Sequence, residues 1–333
     1  MMKAKIFLIL FYISYFSSIG QITTTKVAPV VSQIMIEYDS TENFMDEALY
    51  RYIGQELYLN GFTRPLNGAG YRGFYKDYSK SRYENRNIYK CCDSDNTSKY
   101  VDLVGKYFEV IEIIDHPDGN SGLIGERCFL KLREKSSGDI VYYEHNGILN
   151  EGEYNFPFIV VGFYEKQKQY WADKEFVLSE DCKVTLDANF NYVPKTDINT
   201  GKPINSHLGD KWVFKSLTIN EKYFILSAVM QNSFAEEILI PFNYINERLT
   251  SDLKTFAYLK TEAENYIKKF GEENFNLILR GVLKLGMTTE MCRLSWGEPK
   301  EINKTVLSNI VKEQWVYRSK YLYFENDVLT AMQ

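Results

Sequence analysis

Between Thr288 and Pro299 the chain carries a complete set of start and stop signals for one short helix. Thr288 can accept a hydrogen bond from a first-turn amide, Glu290 suits the positive end, and Met291 with Leu294 gives a buried face. Gly297 permits the backbone conformation that ends a helix, and Pro299 prevents continuation. The next thirty or so residues leave room only for short strands, expected at 302–306, 311–317, 321–324 and 328–331. Ser308-Asn309, Arg318-Ser319-Lys320 and Glu325-Asn326-Asp327 supply turn chemistry between them. In the second of these strands Val311, Trp315 and Tyr317 share one face, and Gln314 and Val316 the other.

Upstream, composition points the same way. The 333 residues include 26 Tyr, 21 Phe and 4 Trp but only 8 Pro, a balance that favours pleated surfaces. Residues 1–20 read as a secretory signal peptide: Lys3 and Lys5, then an apolar run, then Ser18-Ile19-Gly20 before Gln21. The run is too short to span a bilayer, and no cysteine follows it before Cys91 to carry a lipid. Cleavage would remove two lysines from a chain already at −5. An acidic exported protein is a poor match for nucleic acid or anionic membranes. The expected location is therefore periplasmic or extracellular, with no lipid anchor and no membrane span. Cys91, Cys92, Cys128, Cys182 and Cys292 are odd in number and widely spaced, so free or buried thiols are expected instead of a disulfide framework.

A weak repeat organises the middle of the chain. Ile53-Gly54-Gln55-Glu56-Leu57-Tyr58-Leu59 resembles Val104-Gly105-Lys106-Tyr107-Phe108-Glu109-Val110. Both resemble Ala172-Asp173-Lys174-Glu175-Phe176-Val177-Leu178 and Leu208-Gly209-Asp210-Lys211-Trp212-Val213-Phe214. Each is a turn followed by an alternating strand. Two strand–hairpin–strand segments follow, 128–143 and 223–242, and the pattern suggests small SH3-like or half-barrel β units. Ser40 can cap a helix over 41–53, 156–163 reads as a buried strand, and 194–206 reads as a linker. Leu249, Leu253, Phe256, Ala263, Ile267 and Phe270 mark an amphipathic helix over 245–270, with a break near Lys260. The expected organisation is a signal peptide at 1–20, an N-terminal helix and first β unit at 21–98, and a central β region at 99–206. A β unit with a connecting helix at 207–270 and a closing module at 271–333 complete it. The fold class is α+β.

Catalytic and metal signals are weak. Gly68-Ala69-Gly70-Tyr71-Arg72-Gly73 matches a dinucleotide fingerprint but lacks the following helix. His116, His145 and His207 show no metal-ligand spacing. Asp93-Ser94-Asp95-Asn96 lacks the Gly and Glu of a calcium loop. Glu236-Glu237 reads as an exposed hairpin edge. No catalytic, cofactor or metal residue is assigned.

The closing module resembles the SmpA/OmlA (BamE-like) family over about 50 residues, through Gly286-Met287-Thr288, Glu290-Met291, Trp296-Gly297-x-Pro299, Gln314-Trp315-x-Tyr317 and Leu322-x-Phe324-x-Asn326. The resemblance implies helices packed on a small antiparallel sheet and action by protein–protein contact in the bacterial envelope, without catalytic residues. It assigns structural roles to Gly286, Met287, Thr288, Trp296, Gly297, Pro299, Gln314, Trp315, Tyr317 and Phe324. The large β region ahead of the module, and the absent lipid-bearing cysteine, set this chain apart from the best-known member. The expected function is a non-enzymatic, exported protein-binding protein with an unknown envelope protein as partner. The alternatives are glycan or cell-wall binding through the β units, and a hydrolase.

Overall fold

The computed structural model describes residues 38, 42–43, 49–63, 66–81, 83–94, 96–117, 127–146, 156–186, 191–246, 254–307 and 310–333. The signal-peptide expectation, and residues 41 and 44–48 of the helix expected over 41–53, lie outside them. The described end of that helix, Leu49–Tyr52, is a 3-10 turn. By contacts the chain divides after Gln33, so everything described belongs to the second part.

Alternation of apolar residues builds the first sheet. Its strands are β1 (Glu56–Leu59), β2 (Phe74–Tyr75), β3 (Tyr107–Asp115), β4 (Arg127–Glu134), β5 (Ile140–Asn146) and β6 (Phe158–Val160), in the order β2-β5-β4-β3-β1-β6. A short helix, α1 (Tyr100–Leu103), precedes β3. One face of the sheet buries Phe74, Phe108, Leu130, Leu132, Val141 and Tyr143. There the rings of Phe74, Phe108, Tyr143 and Phe158 meet edge-on or tilted, at 5.0–6.0 Å. The second sheet follows α2 (Val161–Trp171). It comprises β7 (Glu175–Leu178), then, after the separate hairpin β8 (Val184–Leu186) and β9 (Tyr192–Pro194), β10 (Lys211–Asn220), β11 (Ile225–Gln231) and β12 (Glu237–Pro241). After α3 (Asn243–Asn246) comes β13 (Ala257–Leu259), and the order is β12-β11-β10-β7-β13.

The two sheets repeat one plan. In each, a short strand is followed by a long connection and a three-stranded meander, and a closing strand returns to pair with the first (β1 with β6, β7 with β13). The four repeat copies seen in the sequence start β1, β3, β7 and β10, and they pair in twos, β1 with β3 and β7 with β10. The second residue of every copy has positive φ: Gly54 at 80°, Gly105 at 76°, Asp173 at 57° and Gly209 at 83°. The backbone bonds correspond one to one. Gly54 N–H donates to Val110 O as Asp173 N–H does to Phe214 O, and Val110 N–H to Gln55 O as Phe214 N–H does to Lys174 O. Asn60 N–H reaches Pro157 O as Ser179 N–H reaches Phe256 O. Even the irregularity is shared, since β3 slips register between Val110 and Glu112 and β10 between Phe214 and Ser216. The boundaries expected at 98 and 206 fall between strands of a single sheet in each case.

The last part packs α4 (Lys260–Phe270), α5 (Glu272–Arg280) and α6 (Thr289–Trp296) with a meander of β14 (Glu301–Leu307), β15 (Ile310–Val316), β16 (Tyr321–Glu325) and β17 (Val328–Met332). Phe275, Ile278, Leu279, Met291, Trp315, Leu322, Phe324 and Leu329 form its core, joined by Val177 and Tyr258 of the second sheet. The fold is α+β, with antiparallel sheets throughout. No helix among the described residues is long and apolar enough to cross a membrane.

Several expectations need correction. Only Phe158–Val160 of the strand expected at 156–163 is strand. From Val161 the chain is helical, because Phe163, Tyr164, Gln167 and Trp171 fall on one buried face at helical spacing. The helix expected over 245–270 begins at Lys260, since Ala257–Leu259 is held in the sheet by β7; residues 247–253 lie outside the described residues. The 194–206 stretch is not a free linker. Ile198 N–H donates to Glu237 O, and the Asp197 carboxylate takes the Glu237 amide and the Thr200 hydroxyl, pinning the segment to β12. Cys91 and Cys92 are joined to each other, with Cα atoms 3.2 Å apart across a cis peptide, where free thiols are expected. Cys128, Cys182 and Cys292 are buried, and burial pushes the Cys182 thiol up to about 11.

Candidate functional site

The second face of the first sheet is where polar groups gather. Alternation along the strands puts Arg127 and Phe129 of β4, Tyr142 and Glu144 of β5 and Ile114 of β3 on the side opposite the main core. The long connection after β1 folds over this face. Tyr75, Ile88 and Phe129 form a small second core there, with Tyr78, Cys91, Ile114 and Tyr142 against it. The Asn87 side chain holds the connection in shape, donating to the carbonyls of Asp77 and Lys80 and accepting from the Asp77 amide.

Beside this small core lies a cavity of about 290 Å³. Tyr75, Tyr78, Tyr83 and Phe129 supply aromatic walls, Ser79 and Ser81 supply hydroxyls, and Lys80, His116, Arg127 and Glu144 supply the ionisable groups. Three of these groups are sunk, with side-chain exposure 9% for His116, 13% for Arg127 and 4% for Glu144, while Lys80 is exposed. Arg127 Nη2 donates to Glu144 Oε1 at 2.8 Å and lies 2.9 Å from His116 Nε2. Tyr75 Oη donates to Glu144 Oε2 at 3.0 Å. A guanidinium has no acceptor, so Arg127 is the donor wherever it bonds, and His116 Nε2 also lies 3.6 Å from Glu144 Oε1. The ring also stacks on Phe129 at 5.1 Å. Lys80 pairs with Asp77 at 2.8 Å. The arrangement offers donors and acceptors in balance beside apolar rings. Among the described lining residues the one carboxylate, Glu144, accepts from both Arg127 and Tyr75.

The ten residues singled out by the sequence lie elsewhere, and none lines the cavity. Thr288 Oγ1 accepts from the Met291 amide as N-cap, Gly297 (φ 80°) ends α6, and Pro299 stands just before β14. Gly286 (φ 91°) and Met287 run beside β17, where Gly286 N–H donates to Leu329 O. Trp315 and Phe324 are fully buried and lie 4.6 Å apart. The Trp315 N–H reaches Glu313, and the Arg293 guanidinium sits 4.3 Å over its ring. Trp296 donates to Gly281 O, Tyr317 to Gly297 O and Gln314 to Tyr323 Oη. These contacts close a core.

The other polar candidates are scattered. His207 is exposed beside Asp210, His145 is buried on β5, and Glu236 and Glu237 hold the segment around Asn199 and Asn205. Gly68 to Gly73 forms a turn that brings Gly70 against Ser98 O, with no helix after it. Among the described residues no group of three His, Cys, Asp or Glu side chains could hold a metal ion. Sequence reasoning missed the cavity because its members come from residues 75 to 144 without a common spacing. The one available signal was a set of charged or polar residues on strand faces that also carry Phe129 and Tyr142. The chain matches no family model, no curated protein and no solved structure.

Proposed function

We propose that this chain is an exported, non-enzymatic protein-binding protein of the bacterial envelope, built from two SH3-like β units and a closing SmpA/OmlA-like module. The strand order supports the SH3-like reading. In each unit a first strand pairs with both the second and the last, with a three-stranded meander between them. The α6 helix over a four-stranded antiparallel meander supports the module.

The observation that carries a binding role is the edge of β14, which no strand pairs with among the described residues. All seven of its residues are exposed, Ile302, Val306 and Leu307 by 40%, 62% and 56%. Elsewhere the described edges are guarded. Those of β2, β6 and β13 are two or three residues long. That of β12 is covered by the segment around Ile198, and that of β17 by Gly286 and Met287. Short or covered edges are the usual protection against strand addition, so a long open apolar edge marks a contact surface. Its partner is an extended segment of another protein, which pairs with the β14 backbone and lays apolar side chains beside Ile302 and Val306. Pull-down from the envelope fraction of the producing bacterium, with purified peptidoglycan in parallel, tests this. Ile302→Lys with Val306→Lys should abolish capture of the protein partner. Retention on peptidoglycan alone, or capture indifferent to the double substitution, would refute it.

A further inference from the structure

The two β units are internal controls for one another. Laid on each other from their matching register shifts, Arg127 corresponds to Ile225, Phe129 to Ser227, Glu144 to Pro241 and His116 to Asn220. The second unit therefore forms the same sheet with no buried ion pair at these positions. A buried Arg–Glu pair is seldom the most stable filling of such a site, because desolvation offsets much of its attraction. The cluster in the first unit is thus not a requirement of the fold, and it borders the cavity.

We propose that this cavity binds a single neutral sugar ring. Among the described residues its permanent charges pair off, Arg127 with Glu144 and Lys80 with Asp77. A charged ligand would find no net opposite charge, whereas hydroxyls can both give to Glu144 and take from Arg127. The rings favour a compact ring with apolar C–H faces over a flat heterocycle. Tyr78 is tilted 53° and Tyr75 77° to Phe129, and His116 already covers one face of Phe129, so no parallel slot exists. The volume is about ten times that of one water in the liquid and lies at the small end of ligand pockets, which suits one ring and not a chain. This site is separate from the β14 edge, and neither depends on the other.

Saturation-transfer NMR and calorimetry on the purified full chain, titrated with glucose, galactose and N-acetylglucosamine, test the assignment, with glucuronic acid and adenosine as comparators. At least one neutral sugar should bind at millimolar concentration and in preference to both comparators. Glu144→Gln should abolish it; if that variant fails to fold, Tyr83→Ala decides. Tyr83 stands at the rim and is 69% exposed, so its removal takes away a wall and leaves the buried cluster intact. It should weaken binding about tenfold. No binding of any neutral sugar, tighter binding of glucuronic acid or adenosine, or unchanged affinity in Tyr83→Ala overturns the proposal. The β14 double substitution should leave sugar binding unaltered.

Discussion

Replacing Gly209 by alanine perturbs one backbone conformation and little else. Gly209 sits at φ 83°, and a Cβ built there meets nothing within 4 Å. The cost is therefore conformational. An L-residue in the left-handed region loses about 1–2 kcal/mol, and the stiffer unfolded chain of alanine returns a few tenths of that. A net loss of about 1 kcal/mol is expected. Gly105, at φ 76° with Tyr58 Oη at an ordinary 3.7 Å, should behave alike in the first unit. Asp173 occupies the same place in the repeat at φ 57°, and its ion pair with Lys215 is exposed. Asp173→Gly should therefore stay within about 0.5 kcal/mol of the parent. Urea titration followed by tryptophan fluorescence reads the unfolding, with Trp212, fully buried three residues from Gly209, as the reporter nearest the substitution. The midpoint should fall in Gly209→Ala with an unchanged slope. An unaltered midpoint, or a loss above about 1 kcal/mol in Asp173→Gly, would show that positive φ does not define the repeat.

Two further substitutions probe other links. Thr288→Ala removes the hydrogen bond that caps α6 and should destabilise the closing module by about 1 kcal/mol in thermal unfolding, with Thr288→Ser close to the parent. Glu134 is buried at the β4–β5 turn. Burial opposes its ionisation, but hydrogen bonds from Ser136 and Ser137 and the nearby Lys106 outweigh it and hold its carboxyl down to about 2. A depressed carboxyl stabilises the fold above its unfolded pKa near 4.5 and loses that contribution as pH falls toward 2. At neutral pH the shift corresponds to about 3 kcal/mol, and by pH 3 to less than half of it. Urea unfolding should therefore show Glu134→Gln well below the parent at pH 7, with the gap shrunk to less than half at pH 3; an equal gap at both pH values would refute the assignment.

What could be read from the chain was what local chemistry determines. The cap at Thr288, the stop at Gly297 and the alternation through Trp315 and Phe324 act within a few residues, so α6 and β14 to β17 stand where those signals put them. The turn-plus-strand copies were visible for the same reason. Their pairing was not, because it depends on which distant strand closes each sheet. The α2 helix was missed because Phe158-Ile159-Val160-Val161 runs on without a break, and no capping side chain marks the change at Val160. The residues around the cavity follow no period. His116 and Arg127 stand 11 residues apart in the chain, and Glu144 and Tyr75 arrive by sheet pairing, so only the fold could bring them together.

The repeated plan also indicates where each unit is free to differ. The bonds tying the turn before the first strand to the meander, and the end of that strand to the closing one, are the same in both units. They determine the frame. The connection between the first strand and the meander lies outside them, and in both units it is the longest segment, running from Asn60 toward β3 and from Ser179 toward β10. Each connection is held by side-chain bonds particular to it: Asn87 to Asp77 and Lys80 within the first, and Asp197 to Thr200 within the second and to Glu237 of β12. Substitution there alters what faces the meander without disturbing the strands. In the first unit that freedom has produced tyrosines and serines above a buried Arg127–Glu144 pair. In the second it has produced a hairpin and Lys195, which donates to Leu239 O and leaves no comparable charged pair on the sheet. A frame kept constant beside a connection that varies is the division of labour expected when one fold is reused for two different contacts.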